Sequence, residues 1–184
     1  MNGTFLYGLW AVRNRCFYPD VLPKSDIMET VVANGEVRIP CPEGFRALGE
    51  AELDALYLDN NHDRVGISDK ERHITVCLFW HRSNPILSKL ANAKDVCVST
   101  EKRLRNRMSK HGYVFDKFFE RSVCGQEGRG FRHTYVLQDI DYASEIIVFK
   151  KGNVCYTLYT YARTENMEGY RPVLDGIVEF MAFL

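Results

Sequence analysis

The chain has 184 residues, 24 basic and 24 acidic side chains, and an apolar fraction of 46%. This length predicts one domain with a core large enough to need no metal or disulfide. The composition excludes a disordered chain, a fibrous repeat and a disulfide-dense miniprotein, and a net charge of zero argues against a general polyanion binder.

The first 35 residues carry the weakest structural pattern, and we expect an extension (1–35) packed on or near a domain of residues 36–184. Residues 4–12 fit a strand. Their apolar part follows no basic residue and is shorter than the roughly 20 residues of a membrane span, so we expect no membrane span and a cytoplasmic location. Residues 27–33 are rich in β-branched side chains and fit either a helical turn or a strand.

The first half of the domain shows three strand patterns and one helix pattern. Alternation predicts a strand over residues 36–39, which ends at Pro40. Helical spacing predicts a helix over residues 50–57, and strands over residues 65–68 and 74–81 follow. The last strand is apolar on both faces, which predicts a central position with both faces covered.

The second half of the domain combines helices with four strands. Ser83-Asn84-Pro85 predicts the start of a short helical stretch. A longer helix is predicted over residues 94–111 with Gly112 as its stop, and an apolar stripe predicts a closing helix over residues 167–182. Between these helices lie predicted strands over residues 114–123, 131–139, 144–149 and 154–162.

Short turns join these four strands, which indicates an antiparallel meander. We interpret the glycine-rich residues 125–130 as the first of the turns, because a phosphate-binding loop would need a Lys and a Ser or Thr entering a helix. Helices before and after the meander can cover both of its faces. The predicted fold class is therefore α+β, a three-layer α/β/α sandwich around a mostly antiparallel sheet.

Two stretches of the domain resemble the PsbP-like superfamily. Val-Arg-Ile-Pro-Cys-Pro-Glu-Gly-Phe at residues 37–45 is similar to its opening strand and Pro-x-Gly-aromatic turn. Residues 156–162, Glu168-x-Tyr170 and the helix that ends with residues 177–180 are similar to its last strand and closing helix. The superfamily includes the extrinsic photosystem protein, the Ran-binding Mog proteins and many bacterial domains of unknown function.

The resemblance implies the same sandwich fold. It also implies a non-enzymatic protein-interaction or accessory role, since the characterised members mostly act by binding other proteins. It carries no residue-level role to this chain.

Six cysteines are spaced 20 to 36 residues apart, without a CxxC motif or a Cys–His cluster. This spacing indicates inert, reduced thiols rather than a zinc site or a set of disulfides. We expect no metal and no cofactor.

The most visible charged feature lies within residues 99–134, which carry 9 basic and 4 acidic side chains. One predicted helix there presents Lys102, Arg103, Arg105, Arg107 and Lys110. This basic face fits either a solvated surface or a contact surface for another protein, and without interleaved aromatic residues it does not indicate nucleic acid. Tyr159 and Tyr161 share one side of a strand and fit either a covered core or an aromatic binding surface.

A different function would follow if His81, His133 and either Asp139 or Asp141 met in one cleft. That site would suit a small-ligand binder or a hydrolytic enzyme. The sequence has no HExxH, no GxSxG and no close histidine pair, and a hydrogen-bonded or edge histidine is the simpler interpretation. The main prediction remains a binding or accessory domain.

Overall fold

The computed structural model describes residues 29–58, 61–84 and 92–184. The strands in these residues are β1 Thr30–Ala33, β2 Val37–Pro40, β3 Arg46–Ala47, β4 Arg64–Asp69, β5 Ile74–Arg82, β6 Val114–Val123, β7 Gln126–Leu137, β8 Ile140–Lys151, β9 Val154–Arg163 and β10 Ala182–Phe183. The helices are α1 Glu50–Tyr57, α2 Ala93–Arg107 and α3 Met167–Phe180, with 3₁₀ turns at Ser109–His111 and Thr164–Asn166. The strand predicted over residues 4–12 and the helical stretch predicted after Pro85 lie outside the described residues.

Seven strands form one antiparallel sheet in the order β3-β4-β5-β9-β8-β7-β6. Strands β6, β7, β8 and β9 form the predicted meander, and β5 lies inside the sheet, as predicted. A small second sheet has the order β1-β2-β10. Because β1 pairs with β2 throughout its length, residues 30–33 belong to this sheet although the sequence assigned them to the extension.

Different elements cover the two faces of the large sheet. On the first face, which we call the α3 face, α3 and the small sheet enclose a core that includes Ile39, Ile147, Tyr156, Leu158, Leu174 and Ile177. On the opposite face, the α2 face, Cys97 and Leu104 of α2 pack on Phe131, Ile146 and Val148. Helix α1 lies on the same side, where Tyr57 meets Phe79 edge to face. These layers confirm the predicted α+β three-layer sandwich.

A buried carboxylate joins α3 to the sheet. Glu145 of β8 is 7% exposed and accepts hydrogen bonds from Arg132 Nε at 2.8 Å and from Arg171 Nη1 of α3 at 3.3 Å. Arg121 of β6 pairs with Asp175 of α3 and lies 3.7 Å from the second oxygen of Glu145. Charges enclosed in this way are tolerated because each one has opposite charges and hydrogen bonds around it.

The glycine-rich stretch is strand rather than loop, which corrects the prediction of a turn over residues 125–130. The β6–β7 turn consists only of Cys124 and Gly125, at φ values of 52° and 72°, as a two-residue hairpin turn requires. Gly130 lies inside β7. A Cβ atom on Gly130 would lie 2.3 Å from Cζ of Phe119 and 2.7 Å from the backbone oxygen of Ile146, so the ring and the neighbouring strand together occupy the space of the missing side chain.

We predict that Gly130→Ala lowers the free energy of unfolding by about 2 kcal/mol or more, because the added methyl group overpacks the site. Urea unfolding of the full chain measures this change. In a Phe119→Leu background, where the ring is gone, the same substitution should cost less, and the cost that remains reflects the close Ile146 backbone oxygen. Equal costs in the two backgrounds would show that the ring does not explain the glycine.

His133 is enclosed in the core of the α2 face, with 3% of its surface exposed. Its ring stacks on Tyr113 and Tyr135, with centroids 5.0 Å and 5.8 Å away. Its Nδ1 finds no hydrogen-bond partner within the described part of the chain. Removal from water disfavours the imidazolium and lowers the pKa of His133 to about 4, so this side chain is neutral in the folded protein near pH 7.

The lowered pKa of His133 predicts a loss of stability in acid. In the unfolded chain the pKa returns to about 6.5, so the unfolded state binds the proton more readily. The stability that neutral His133 contributes is complete above pH 6.5 and is lost as the pH falls towards about 4. The free energy of unfolding should fall by at most about 3 kcal/mol over this range. Unfolding titrations should show a shallower fall over this range for His133→Phe, with the exposed His81→Phe as a control that keeps the wild-type slope. A wild-type slope in His133→Phe would contradict the assignment.

Candidate protein-interaction surface

Helix α2 carries the predicted basic face and is fixed at both ends. The side-chain oxygen of Asn92 accepts a hydrogen bond from the backbone N–H of Asp95 at 2.9 Å, which caps the first turn. Cys97 is fully buried against the sheet. The 3₁₀ turn after α2 ends at Gly112, which has a φ of 61°, a conformation that favours glycine. The helix predicted over residues 94–111 is confirmed, and its last turn, Ser109–His111, is a 3₁₀ turn.

Arg105 belongs to the packing of α2 rather than to a free surface. Its guanidinium donates to the buried carboxylate of Glu101, with Nε 2.9 Å from Oε1, and lies 5.8 Å from the centroid of the Phe115 ring. The hydroxyl of Tyr113 donates to the same Glu101 oxygen at 3.1 Å. Of the five predicted basic residues, Arg105 is therefore the one committed to holding the helix in place.

The other four cations of this face are accessible. Lys102, Arg107 and Lys110 are exposed and have no hydrogen bond or ion pair with another described residue. Arg103 is exposed as well and makes one hydrogen bond of 3.3 Å to Thr100 on its own helix. This surface keeps its positive charge instead of neutralising it within the fold.

The predicted tyrosines lie next to this basic face. Tyr159 and Tyr161 point to the α2 face from β9, and both are partly exposed. Burial raises the pKa of the Tyr159 hydroxyl, whereas the positive charges of Arg103 and Arg107 lower it. The structure thus brings Tyr159 near Arg103 and Arg107, and Tyr161 lies two residues further along the same strand.

These tyrosines belong to a larger feature that we call the aromatic strip, formed by Phe79, Tyr135, Tyr142, Tyr159 and Tyr161. All five side chains are partly exposed. Ring centroids are 5.0 Å apart for Phe79 and Tyr159, 6.3 Å for Tyr142 and Tyr161, and 5.4 Å for Tyr135 and Tyr142. The strip crosses β5, β9, β8 and β7. Sequence reasoning missed Phe79, Tyr135 and Tyr142, because only the strand order brings them beside β9.

The strip lies where the helical layer is open. Helix α1 packs on β4, and its Tyr57 reaches Phe79 of β5, whereas α2 packs on β7 and β8. Strand β9 therefore runs between the two helices. Along β9 the side chains alternate strictly: those on the α3 face are buried, and those on the α2 face are partly exposed. We call the space above β9 the interhelix gap.

The alternative cleft of His81, His133 and Asp139 does not form. His81 is exposed near the end of β5 and lies opposite Cys155. From β5 the strand pairing leads through β9 and β8 to β7, so His133 lies three strands away from His81. It is also six residues further along the strand direction, which separates the two histidines by about 20 Å along the strands alone. Asp139 is an exposed residue of the β7–β8 turn. These three groups cannot act on one substrate.

Within residues 29–58, 61–84 and 92–184, no cluster of three His, Cys, Asp or Glu side chains has the arrangement of a metal site. Five of the six cysteines lie in these ranges, and all five are free thiols. The helices of the same ranges are too short or too polar to cross a bilayer.

Neither protein-family models nor the sequences of characterised proteins match this chain. Solved structures do. The solution structure of cyanobacterial PsbP (CyanoP) from Synechocystis sp. PCC 6803 superimposes with a TM-score of 0.62 and 11% identity, over 89% of this chain and 97% of that one. LpqN of Mycobacterium tuberculosis, described as involved in cell envelope biogenesis, gives a TM-score of 0.51 and 13% identity, over 87% of each chain.

At these identities the likeness concerns the fold. It confirms the PsbP-like architecture that residues 37–45 and the C-terminal stretches resembled. A Ran-binding likeness is not among these findings. The chain has a PsbP-like fold, and the aromatic strip with its basic neighbours is its best-defined candidate for an interaction surface.

Proposed function

We propose that this protein is a non-catalytic accessory domain that binds another protein through the aromatic strip and the exposed basic face of α2. One observation carries the proposal: β9, at the centre of the sheet, keeps tyrosines partly exposed beside two exposed arginines. Tyr and Arg are enriched among the residues that dominate binding energy in protein interfaces. A partly desolvated aromatic floor with a charged rim is the usual composition of such a contact.

The electrostatics of the gap support a partner with negative charge. On the α1 side, Glu52 is hydrogen-bonded to Arg46 at 2.8 Å and Asp54 to Arg64 at 2.7 Å, so these charges are already compensated. On the α2 side, Arg105 pairs with Glu101, but Lys102, Arg107 and Lys110 lack such compensation among the described residues. An acidic surface would be attracted to the α2 side, and this attraction would raise the association rate and orient the partner.

The described thiols support a binding role rather than nucleophilic chemistry. Burial raises the pKa of Cys77, Cys97 and Cys124 to about 11, which leaves little reactive thiolate at neutral pH. Free thiols of this kind are typical of a reducing compartment. The proposal therefore keeps the cytoplasmic location expected from the sequence.

A salt-dependent pull-down tests this function. The full chain is immobilised on beads and incubated with a lysate of its own organism. It should retain a protein partner at about 0.1 M salt and release it at about 1 M, because the electrostatic screening length falls from about 10 Å to about 3 Å. The double variant Arg103→Glu/Arg107→Glu should lose the same partner at low salt. The control Lys94→Glu/Lys117→Glu makes the same change of charge at exposed sites away from the strip and should retain it. Failure to capture any protein under either condition, or equal capture by both variants, would count against the proposal.

A further inference from the structure

Uncharged side chains surround the buried ring of His133 within the sheet. Along β7 its neighbours on the α2 face are Phe131 and Tyr135, with ring centroids 5.5 Å and 5.8 Å away. Phe115 lies opposite it on β6, and Ser144 lies opposite it on β8. None of these four side chains is charged near pH 7, so the sheet offers no counter-ion to a protonated His133.

A short exposed segment supplies a further ring that covers His133. This segment, which we call the latch, comprises residues 108–113 between α2 and β6. Tyr113 at its end stacks on His133, with ring centroids 5.0 Å apart and ring planes 26° apart. Met108 and Tyr113 are partly exposed, and the four residues between them are exposed. Because so little of its surface is buried, the latch can open at a lower free-energy cost than the sheet beneath it.

Local hydrogen bonds hold most of the latch. The backbone N–H of Met108 donates to a carbonyl of the last turn of α2 at 2.8 Å, and the N–H of His111 donates to the Met108 carbonyl at 2.9 Å. The Tyr113 hydroxyl makes the bond of longer range, donating to Glu101 of α2 at 3.1 Å. Tyr113 can therefore move away from His133 without breaking the strand pairing of the large sheet.

The charges around this site do not favour a proton on His133 while the latch is closed. Nδ1 of His133 has no hydrogen-bond partner within the described part of the chain. The acidic side chain of α2 on this side, Glu101, already accepts hydrogen bonds from Arg105 and from the latch tyrosine. The latch itself adds Lys110 and His111, which are exposed and basic. A protonated ring therefore gains hydration only if the latch moves away.

We infer that residues 108–113 form a pH-sensitive latch, which opens when His133 binds a proton from solvent while the seven-stranded sheet stays folded. In the open latch Tyr113 leaves the His133 ring, and water reaches the imidazolium. Opening also detaches the segment that carries Lys110 from the sheet. The inference goes beyond the proposed function and does not depend on it, since it follows from the packing around His133.

Amide hydrogen exchange of the full chain tests the latch at the backbone N–H groups of Met108 and His111. The pKa of His133 is about 4 in the closed state and returns to about 6.5 when water reaches the ring. Between pH 7 and pH 5 the opening equilibrium should therefore rise about twentyfold, after correction for the intrinsic exchange rate. At each pH the two amides should be less protected than the amide of Leu158 in β9, which reports opening of the whole sheet.

Three variants assign the effect to His133. His133→Phe keeps a buried ring without a titratable group and should remove the pH dependence of the latch amides. The control His111→Gln removes the exposed histidine of the latch itself and should keep the twentyfold change. Tyr113→Phe removes the bond to Glu101 and should open the latch at least about fivefold more at every pH, with an unchanged pH dependence. Circular dichroism identifies variants that fail to fold, and the pH series on the wild-type chain is independent of them.

Three results would overturn the inference. Equal protection of the latch amides at pH 7 and pH 5 would show that the latch moves without exposing His133, or that the surrounding rings hold the imidazolium in place by cation–π contacts. Protection equal to that of Leu158 at each pH would show that the latch opens only when the whole sheet unfolds. A pH dependence that persists in His133→Phe would assign the effect to another group.

Discussion

Strand β9 has one buried face and one partly exposed face, and the layers of the protein follow from that asymmetry. On the α3 face, Val154, Tyr156 and Leu158 are at most 3% exposed beneath α3 and the small sheet. On the α2 face, two helices must cover a sheet of seven strands. A helix is about 10 Å wide and a strand occupies about 4.8 Å, so each helix covers about two strands. The helices sit above β4 and above β7 with β8, and Tyr57 of α1 reaches over β5, which leaves the central strand β9 between them. Exposure at the centre of the sheet is thus a consequence of having too few helices on that side.

The charged groups divide into two sets that serve different purposes. Glu145 and Glu101 are buried, and each gathers hydrogen bonds from side chains of other turns or strands. These contacts fix α3 and α2 on the sheet, and losing one member would leave the others enclosed without a partner. Lys102, Arg107 and Lys110 form the second set and contact no charged partner among the described residues. They contribute little to the stability of the fold. Their position beside the aromatic strip suits a role in association instead, where charge that is not paired within the fold accelerates encounter and selects partners.

Local sequence patterns were sufficient for most elements but not for the surface that they build. Helix α1 and strand β6 occupy the predicted residues, because helical spacing and strand alternation are local signals. Gly130 was misassigned to a turn, because the groups that require a glycine there, the Phe119 ring and the Ile146 backbone oxygen, lie on the two neighbouring strands. Arg103, Arg107, Tyr159 and Tyr161 were each singled out, yet their meeting depends on a helix lying across strands far apart in the chain. Tyr135 and Tyr142 join the strip only through the register of β7, β8 and β9. The His81–His133 hypothesis failed for the same reason, since distance along a strand is invisible without the register.

Hydroxyl-radical footprinting of the tyrosines in the full chain tests the central claim most directly. Tyr156 provides an internal reference, because it lies on the other face of β9 and is completely buried. If the centre of the α2 face is open, Tyr135, Tyr142, Tyr159 and Tyr161 are oxidised several times faster than Tyr156 in the free protein. Protection of these four residues to the level of Tyr156, in a folded chain with no partner present, would contradict the account, because the chain would then cover the surface by itself.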